Sequence, residues 1–252
     1  MSPSPHFEVI PIGVGAAYGR VGEAQSCLLV RAGGKTICLD LGAGALNLLQ
    51  RHVRPEALDL VVISHLHPDH FIDLLALRVY MVWGPGVAKR VRVAGPPGLR
   101  AQIAAFGSDG LESAFAFEEL TGQEAATDLA GGLTVRHHQV PHLPPTYATR
   151  IDSGAGAMCF GADCAPNEVL ATFAEGVDLL VTECSFGVGD IPDGVVHLNA
   201  RAAGAIARRA RVGQLLLTHC FPEWDLDAAV AAAAVVAGMP VAAARQGQAV
   251  VL

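Results

Sequence analysis

The stretch Leu60-Val61-Val62-Ile63-Ser64-His65-Leu66-His67-Pro68-Asp69-His70 decides how this chain is read. Its apolar start predicts a buried strand, and the chain then breaks into a loop with three histidines and one aspartate in six positions. Packing explains such a loop poorly. Buried imidazoles without partners cost free energy, and surface loops more usually recruit Lys and Asp. Metal ligation explains it better. His65 and His67 are two residues apart and can turn the same way, while Asp69 and His70 continue into the next helix and can reach a second ion. A catalytic metal generally takes three protein groups and leaves a position for water, so more ligands must come from elsewhere in the chain.

Three later residues fit that need. His142 follows a predicted strand over Leu133–Val140, Asp163 follows one over Ala157–Phe160, and His219 follows one over Leu215–Thr218. A carboxylate such as Asp163 can bridge two cations and hold them ~3.5–4 Å apart. His137 and His138 compete with His142, but they lie within the alternating strand rather than past its end. His6 and His52 read as ordinary surface residues.

Around these points, short apolar runs alternate with amphipathic stretches, which is an α/β pattern. Further strands are expected over Phe7–Ile12, Ser26–Val30, Thr36–Leu39, Leu58–Ile63, Arg90–Ala94, Ala148–Asp152, Leu179–Thr182, Val241–Ala243 and Ala249–Leu252. Helices are expected over Ala45–Arg54, Phe71–Met81, Gly98–Phe106, Glu168–Phe173, Ala200–Arg209 and Leu226–Val236. No Pro- or Ser-rich linker divides the chain, so one domain over residues 1–252 is expected, with its functional side chains at strand exits. Gly13-Val14-Gly15 after an apolar strand mimics a dinucleotide fingerprint, but position 18 is Tyr18 and no good helix can start there. A close turn beside the metals suits these glycines better.

Composition narrows the function. With 52% hydrophobic and 16% charged residues the chain is not a disordered one. The net charge of -7, from 17 basic and 24 acidic residues, argues against a surface that grips long nucleic acids. Arg201, Arg208, Arg209 and Arg211 read as the solvated face of one helix. The six cysteines form no C-x-x-C pair and read as buried thiols. The start Met1-Ser2-Pro3-Ser4-Pro5 lacks the marks of a secretory signal and no membrane-spanning stretch is evident, so a cytoplasmic protein is expected.

The order H-x-H-x-D-H, lone His, lone Asp, final His resembles the metallo-β-lactamase superfamily over nearly the whole chain. Cys38-Leu39-Asp40-Leu41-Gly42, Ala94-Gly95-Pro96-Pro97-Gly98, Thr182-Glu183-Cys184-Ser185-Phe186 and the segment from His197-Leu198-Asn199-Ala200 resemble its ribonuclease Z-like branch. The resemblance implies an α/β fold, a four-layer αβ/βα sandwich of two mixed sheets flanked by helices. It implies His65, His67 and His142 on one metal, Asp69, His70 and His219 on the other, and Asp163 between them. Two divalent ions are expected, with zinc favoured and Mn or Fe as alternatives. It also implies that Asp69 orients the nucleophilic water and that His197, held by Glu183, protonates the leaving group. Asp40 is expected to orient a ligand imidazole.

A hydroxide shared by two such ions is nucleophilic near neutral pH, because metal charge draws the pKa of water down towards ~7. Ribonuclease Z proper carries a long arm between its third-ligand His and its bridging Asp. Only 20 residues separate His142 from Asp163 here, and Thr182 stands where ribonuclease Z has His. Transfer RNA is therefore not the expected partner. A small, anionic ester is, and above all a small or cyclic phosphodiester. The alternatives are a lactone, thioester or sulfate ester, or a metal-binding protein without turnover. Relatives suggest a homodimer.

Overall fold

The computed structural model describes residues 7–87, 89–129 and 132–252. The start Met1–Pro5 and His6 lie outside the described residues. Each half of the chain builds a mixed sheet of seven strands. The first contains β1 (Phe7–Gly13), β2 (Cys27–Ala32), β3 (Lys35–Leu39), β4 (Leu60–Val62), β5 (Val91–Gly95) and β6 (Phe115–Glu119) in spatial order. The second contains β7 (Glu124–Leu129), β8 (Leu133–Val140), β9 (Thr146–Ser153), β10 (Gly156–Phe160), β11 (Leu179–Glu183), β12 (Gln214–Thr218) and β13 (Val241–Ala243), also in order. The last strand, β14 (Val250–Val251), returns to pair with β1 in the first sheet. In each sheet, antiparallel neighbours give way to parallel ones: β3 to β6 run parallel, as do β10 to β13.

Side-chain alternation assigns the layers. Leu60 and Val62 face a core shared with Ile151, Met158, Leu179, Val181 and Leu216 from the other sheet. Val61 and Ile63 point the opposite way, to an apolar layer capped by helices from the first half. Leu180, Leu215 and Leu217 do the same in the second half. A strand with both faces buried must be apolar at every position, and this is why Leu60–Ile63 reads as a continuous run. The helices on the first face are α1 (Ala45–Leu49), α2 (Pro68–Phe71), α3 (Leu74–Trp83), α4 (Leu99–Ala105) and α5 (Leu111–Ala114). Those on the second are α6 (Glu168–Phe173), α7 (Ala200–Ala210) and α8 (Leu226–Ala237). The result is the expected αβ/βα sandwich of four layers.

Two helix expectations need correction. The helix expected over Ala45–Arg54 stops at Leu49 and gives way to turns; Arg54, before Pro55, is extended (φ -74°, ψ 132°), and Pro55–Ala57 forms a separate short turn. The helix expected over Phe71–Met81 divides into α2 and α3. Its break falls where the Asp73 backbone N–H donates to the Leu41 carbonyl and its carboxylate accepts from the Leu46 N–H. β6 and β7 were not foreseen; β7 is a polar edge strand with exposed and buried residues alternating, and carries little apolar signal.

All six cysteines are free and buried. Among the described residues, no helix is long and apolar enough to cross a membrane.

His137 belongs to this framework. It is fully buried on β8, and its ring lies between the Thr127 and Thr149 hydroxyls at 3.1 and 3.0 Å. Burial pushes its pKa down to about 4. Between this value and the ordinary ~6.5, an unfolded chain takes up a proton that the folded chain refuses, so stability falls as pH falls through that window. The full effect is on the order of 3 kcal/mol. We expect His137→Gln, compared with the unsubstituted chain in urea melts with chelator present, to lose about 2 kcal/mol less stability between pH 6.5 and 4.5. Equal losses would show that His137 is not the group taking up the proton.

Candidate metal centre

Every functional side chain singled out in the sequence sits at one edge of the sandwich, where the parallel strands end. Asp40 follows β3, the loop Ser64–His67 follows β4, and Asp69 and His70 occupy α2. His142 follows β8, Asp163 follows β10, Glu183 closes β11 and His219 follows β12. Three of these exits use left-handed backbone at a non-glycine residue: Asp40 (φ 59°), Ala162 (φ 53°) and His219 (φ 51°). That conformation is sparsely populated for side chains with a Cβ and turns the chain sharply. Here it folds each exit back over the sheet edge. Close backbone approach helps as well. A Cβ on Gly42 would lie 2.0 Å from the Asp69 carbonyl oxygen, and one on Gly13 would lie 1.7 Å from that of Gln25. The turn at Gly13–Gly15 does lie beside the centre, since the Val14 carbonyl accepts from the His219 N–H at 3.0 Å.

Two sets of donor atoms match the expected ligands, and a third joins Asp163 to Glu183 and His197. His65, His67, His142 and Asp163 offer atoms all within 4.8 Å of one another, and Asp69, His70 and His219 do the same. Asp163 Oδ2 lies 4.0 Å from His65 Nε2 and 3.6 Å from Nε2 of both His70 and His219, which puts it between the sets. Apart from half-buried His67, all these residues are buried. His137 and His138 belong to neither set; His138 contacts Gln139, Glu124 and Phe173 instead.

Hydrogen bonds on the outer side determine what the inner nitrogens present. The Ser64 hydroxyl donates to Asp40 Oδ2 (2.9 Å), so its lone pair accepts from His65 Nδ1–H (3.0 Å). The Ser185 hydroxyl donates to Glu183 Oε2 (2.5 Å) and accepts from His219 Nδ1–H (3.1 Å). His70 Nδ1–H donates to Asp40 Oδ2 (2.7 Å), and His142 Nδ1–H donates to the Val196 carbonyl (2.9 Å). Four imidazoles are thereby held in the tautomer that leaves Nε2 with a lone pair turned inward. These lone pairs face one another or His67 Nδ1: His70 and His219 Nε2 are 3.3 Å apart, and His65 Nε2 and His67 Nδ1 are 3.0 Å apart. Nitrogens facing at these distances need a proton or a metal ion between them, and five convergent imidazoles with two carboxylates form a donor set that fits divalent metal.

The electrostatics agree for the histidines of the first set. Burial, reinforced by neighbouring histidines, pushes His65 and His67 below the ordinary imidazole value, and burial does the same to His142, which keeps all three neutral as ligands must be. Burial alone would raise Asp69 and Asp163. The adjacent His219 and His70 outweigh it and hold both carboxyls ionised, below the usual range. His70 and His219 go the other way: Asp163 and Asp40 overcome burial at His70, and Asp163 and Asp69 overcome it at His219, so these two favour a second proton that a metal would have to displace.

His197 stands beside this centre. Its Nδ1 lies 2.9 Å from Glu183 Oε1 and 3.7 Å from Asp163 Oδ2. The same Glu183 oxygen accepts from the Cys164 N–H at 2.9 Å, so the carboxylate cannot turn away. Burial opposes protonation of His197, but its bond to Glu183 wins and its pKa is raised. Ser64 and Ser185 were missed as orienting groups in the sequence. Each lies next to, or two residues from, a residue that was identified, and adjacency was the available signal.

Fold and site together define a metal-dependent hydrolase with a dinuclear divalent-metal centre. The chain belongs to the beta-lactamase superfamily: the family described as "Beta-lactamase superfamily domain" matches residues 37–220. It is 30% identical to the probable metallo-hydrolase YhfI of Bacillus subtilis over 216 residues, covering 84% of this chain and 86% of that one. The crystal structure of YhfI superimposes with a TM-score of 0.89 at 26% identity, over 99% of this chain and 100% of that one. Ribonuclease Z of Mycobacterium bovis is 31% identical over 247 residues, covering 86% of each chain. Human tRNase Z, short form, shares the fold with a TM-score of 0.76 at 19% identity, over 96% of this chain and 98% of that one. This agrees with the ribonuclease Z-like branch expected from the sequence.

Asp40 accepts from the Ser64 N–H, the Ser64 hydroxyl and His70, and it is fully buried. Asp40→Asn keeps a residue that tolerates left-handed backbone, but turns an amide N–H toward one of those donors. Loss of such an orienting partner typically weakens metal binding by about 10–100-fold. We expect that loss for Zn in competition with a chromophoric chelator. Unchanged affinity would mean that the carboxylate does not orient the ligands.

Proposed function

We propose that this protein is a phosphodiesterase acting on a small or cyclic phosphodiester, with zinc as its native metal pair and all its parts in one domain. His65, His67 and His142 would hold one ion, Asp69, His70 and His219 the other, and Asp163 both. Bound there, divalent ions supply an acidified water and polarise the ester oxygen that develops negative charge.

The chain's own residues do the rest. Asp69 has a carboxylate oxygen 3.2 Å from His219 Nε2 and 3.4 Å from His70 Nε2, at the centre of the cluster, where it can orient the attacking water. His197 shares its Nδ1 proton with Glu183, which keeps the imidazole protonated and oriented, and gives the proton on Nε2 to the departing alkoxide. This pairing carries the proposal, because an alkoxide leaves badly without a proton and a thiolate does not need one. The likeness to ribonuclease Z, a phosphodiester enzyme by resemblance, supports phosphorus over carbon as the electrophile.

A small substrate is supported by what lies between His142 and Asp163. β9 and β10 pair antiparallel there, with Gly156 opposite Ser153, so the stretch is used up by a tight hairpin of the second sheet. The second reading is a lactone or sulfate ester.

Hydrolysis of bis-p-nitrophenyl phosphate by Zn- or Mn-loaded protein, set against a lactone and sulfate-ester panel, tests the class. Turnover of the panel alone would favour the second reading, and none at all would favour a binding protein. We expect His197→Ala to retain its metal and to lose about 100-fold or more on alkyl diesters, the ordinary worth of a general acid. Its loss on nitrophenyl esters should be much smaller, and equal losses would refute the proton-donor role.

A further inference from the structure

A line of aromatic rings leads outward from His197. Phe186 lies 6.4 Å from the His197 ring at 52°, Phe221 lies 6.0 Å from Phe186 at 78°, and Tyr18 stacks on Phe221 at 5.0 Å and 26°. Phe186 and Phe221 are half-buried and Tyr18 is 54% exposed, so the run opens from the site to the surface. None of the three completes one of the described apolar cores. The run is also held firmly. Arg20 donates to the Trp224 carbonyl at 2.7 Å and the Phe221 carbonyl at 3.4 Å, and Tyr18 donates to Glu223 at 3.0 Å. Trp224 lies over Gly187 and Gly189, where any Cβ would fall within 2.4 Å of its atoms. Three segments far apart in sequence are thereby tied together.

We propose that Phe186, Phe221 and Tyr18 form a stacking subsite for a planar aromatic ring carried by the leaving group of the substrate. The inference rests on the role of His197 given above. The group that receives the proton must be next to that imidazole, and Phe186 is the ring beside it, with Phe221 next in line. Rings fixed in advance bind a planar partner at little ordering cost, whereas a saturated ring of the same size lacks the flat face that stacking uses.

The test is an internal competition within one diester, benzyl cyclohexylmethyl phosphate, given to the Zn-loaded full chain. Both possible leaving groups are primary alkoxides, and the ratio of benzyl alcohol to cyclohexylmethanol released does not depend on metal loading or total activity. Stacking of ordinary strength gives an excess of benzyl alcohol of about tenfold. Phe221→Leu should bring the ratio close to that of free chemistry, and exposed Tyr18→Leu should move it part of the way without touching the core. A ratio near one in the unsubstituted enzyme, an excess of cyclohexylmethanol, or a ratio that ignores both substitutions overturns the subsite. If neither alcohol appears, phosphodiester hydrolysis itself fails, and the subsite fails with it.

Discussion

The structure depends on proton placement around four imidazoles. A histidine becomes a metal ligand only when its inner nitrogen has a lone pair to give, and that depends on where the outer nitrogen sends its proton. Here His65 and His219 donate to serine hydroxyls whose own protons are already committed to carboxylates, His70 donates to Asp40, and His142 to a carbonyl. Asp40 and Glu183 act as the roots of these chains. Glu183 serves twice, since it fixes the tautomer of His219 through Ser185 and holds His197 directly. One buried carboxylate therefore holds both His219, through Ser185, and His197.

The two sheets make this arrangement possible. Strands packed within the sheets are stiff and their ends are well defined, and the exits of β3, β4, β8, β10, β11 and β12 all open on one edge. Apart from His197, which sits in the irregular stretch 184–199 before α7, side chains from residues 40 to 219 meet there at or just past strand exits. Left-handed turns at Asp40, Ala162 and His219 are unfavourable locally, and are tolerated because the packed strands on either side leave the chain no alternative path.

Much of this was legible in the sequence, for a physical reason. Metal ligation demands particular residue types at particular strand ends, so the run His65–His70 and the isolated His142, Asp163 and His219 stood out against apolar surroundings. The rejection of His137 also followed from its place inside an alternating strand, and its burial between two threonines agrees. The less legible features have softer signatures. β7 is an edge strand with little continuous apolar signal, and the helices at Ala45 and Phe71 were overrun because amphipathic periodicity continues past Leu49, where turns begin, and past Asp73, whose tertiary hydrogen bonds redirect the backbone. Ser64 and Ser185 escaped notice because a serine in a loop is common, and its importance lies only in where its proton goes. The aromatic run is a tertiary feature outright, with contributors at positions 18, 186 and 221.

The most direct measurement is anomalous diffraction at the zinc edge from crystals of the zinc-loaded protein. The expected result is two peaks ~3.5–4 Å apart. Nε2 of His65 and His142 and Nδ1 of His67 should surround one, Nε2 of His70 and His219 with Asp69 the other, and Asp163 should touch both. One peak, none, or a pair bound elsewhere with these nitrogens still facing one another would contradict the account.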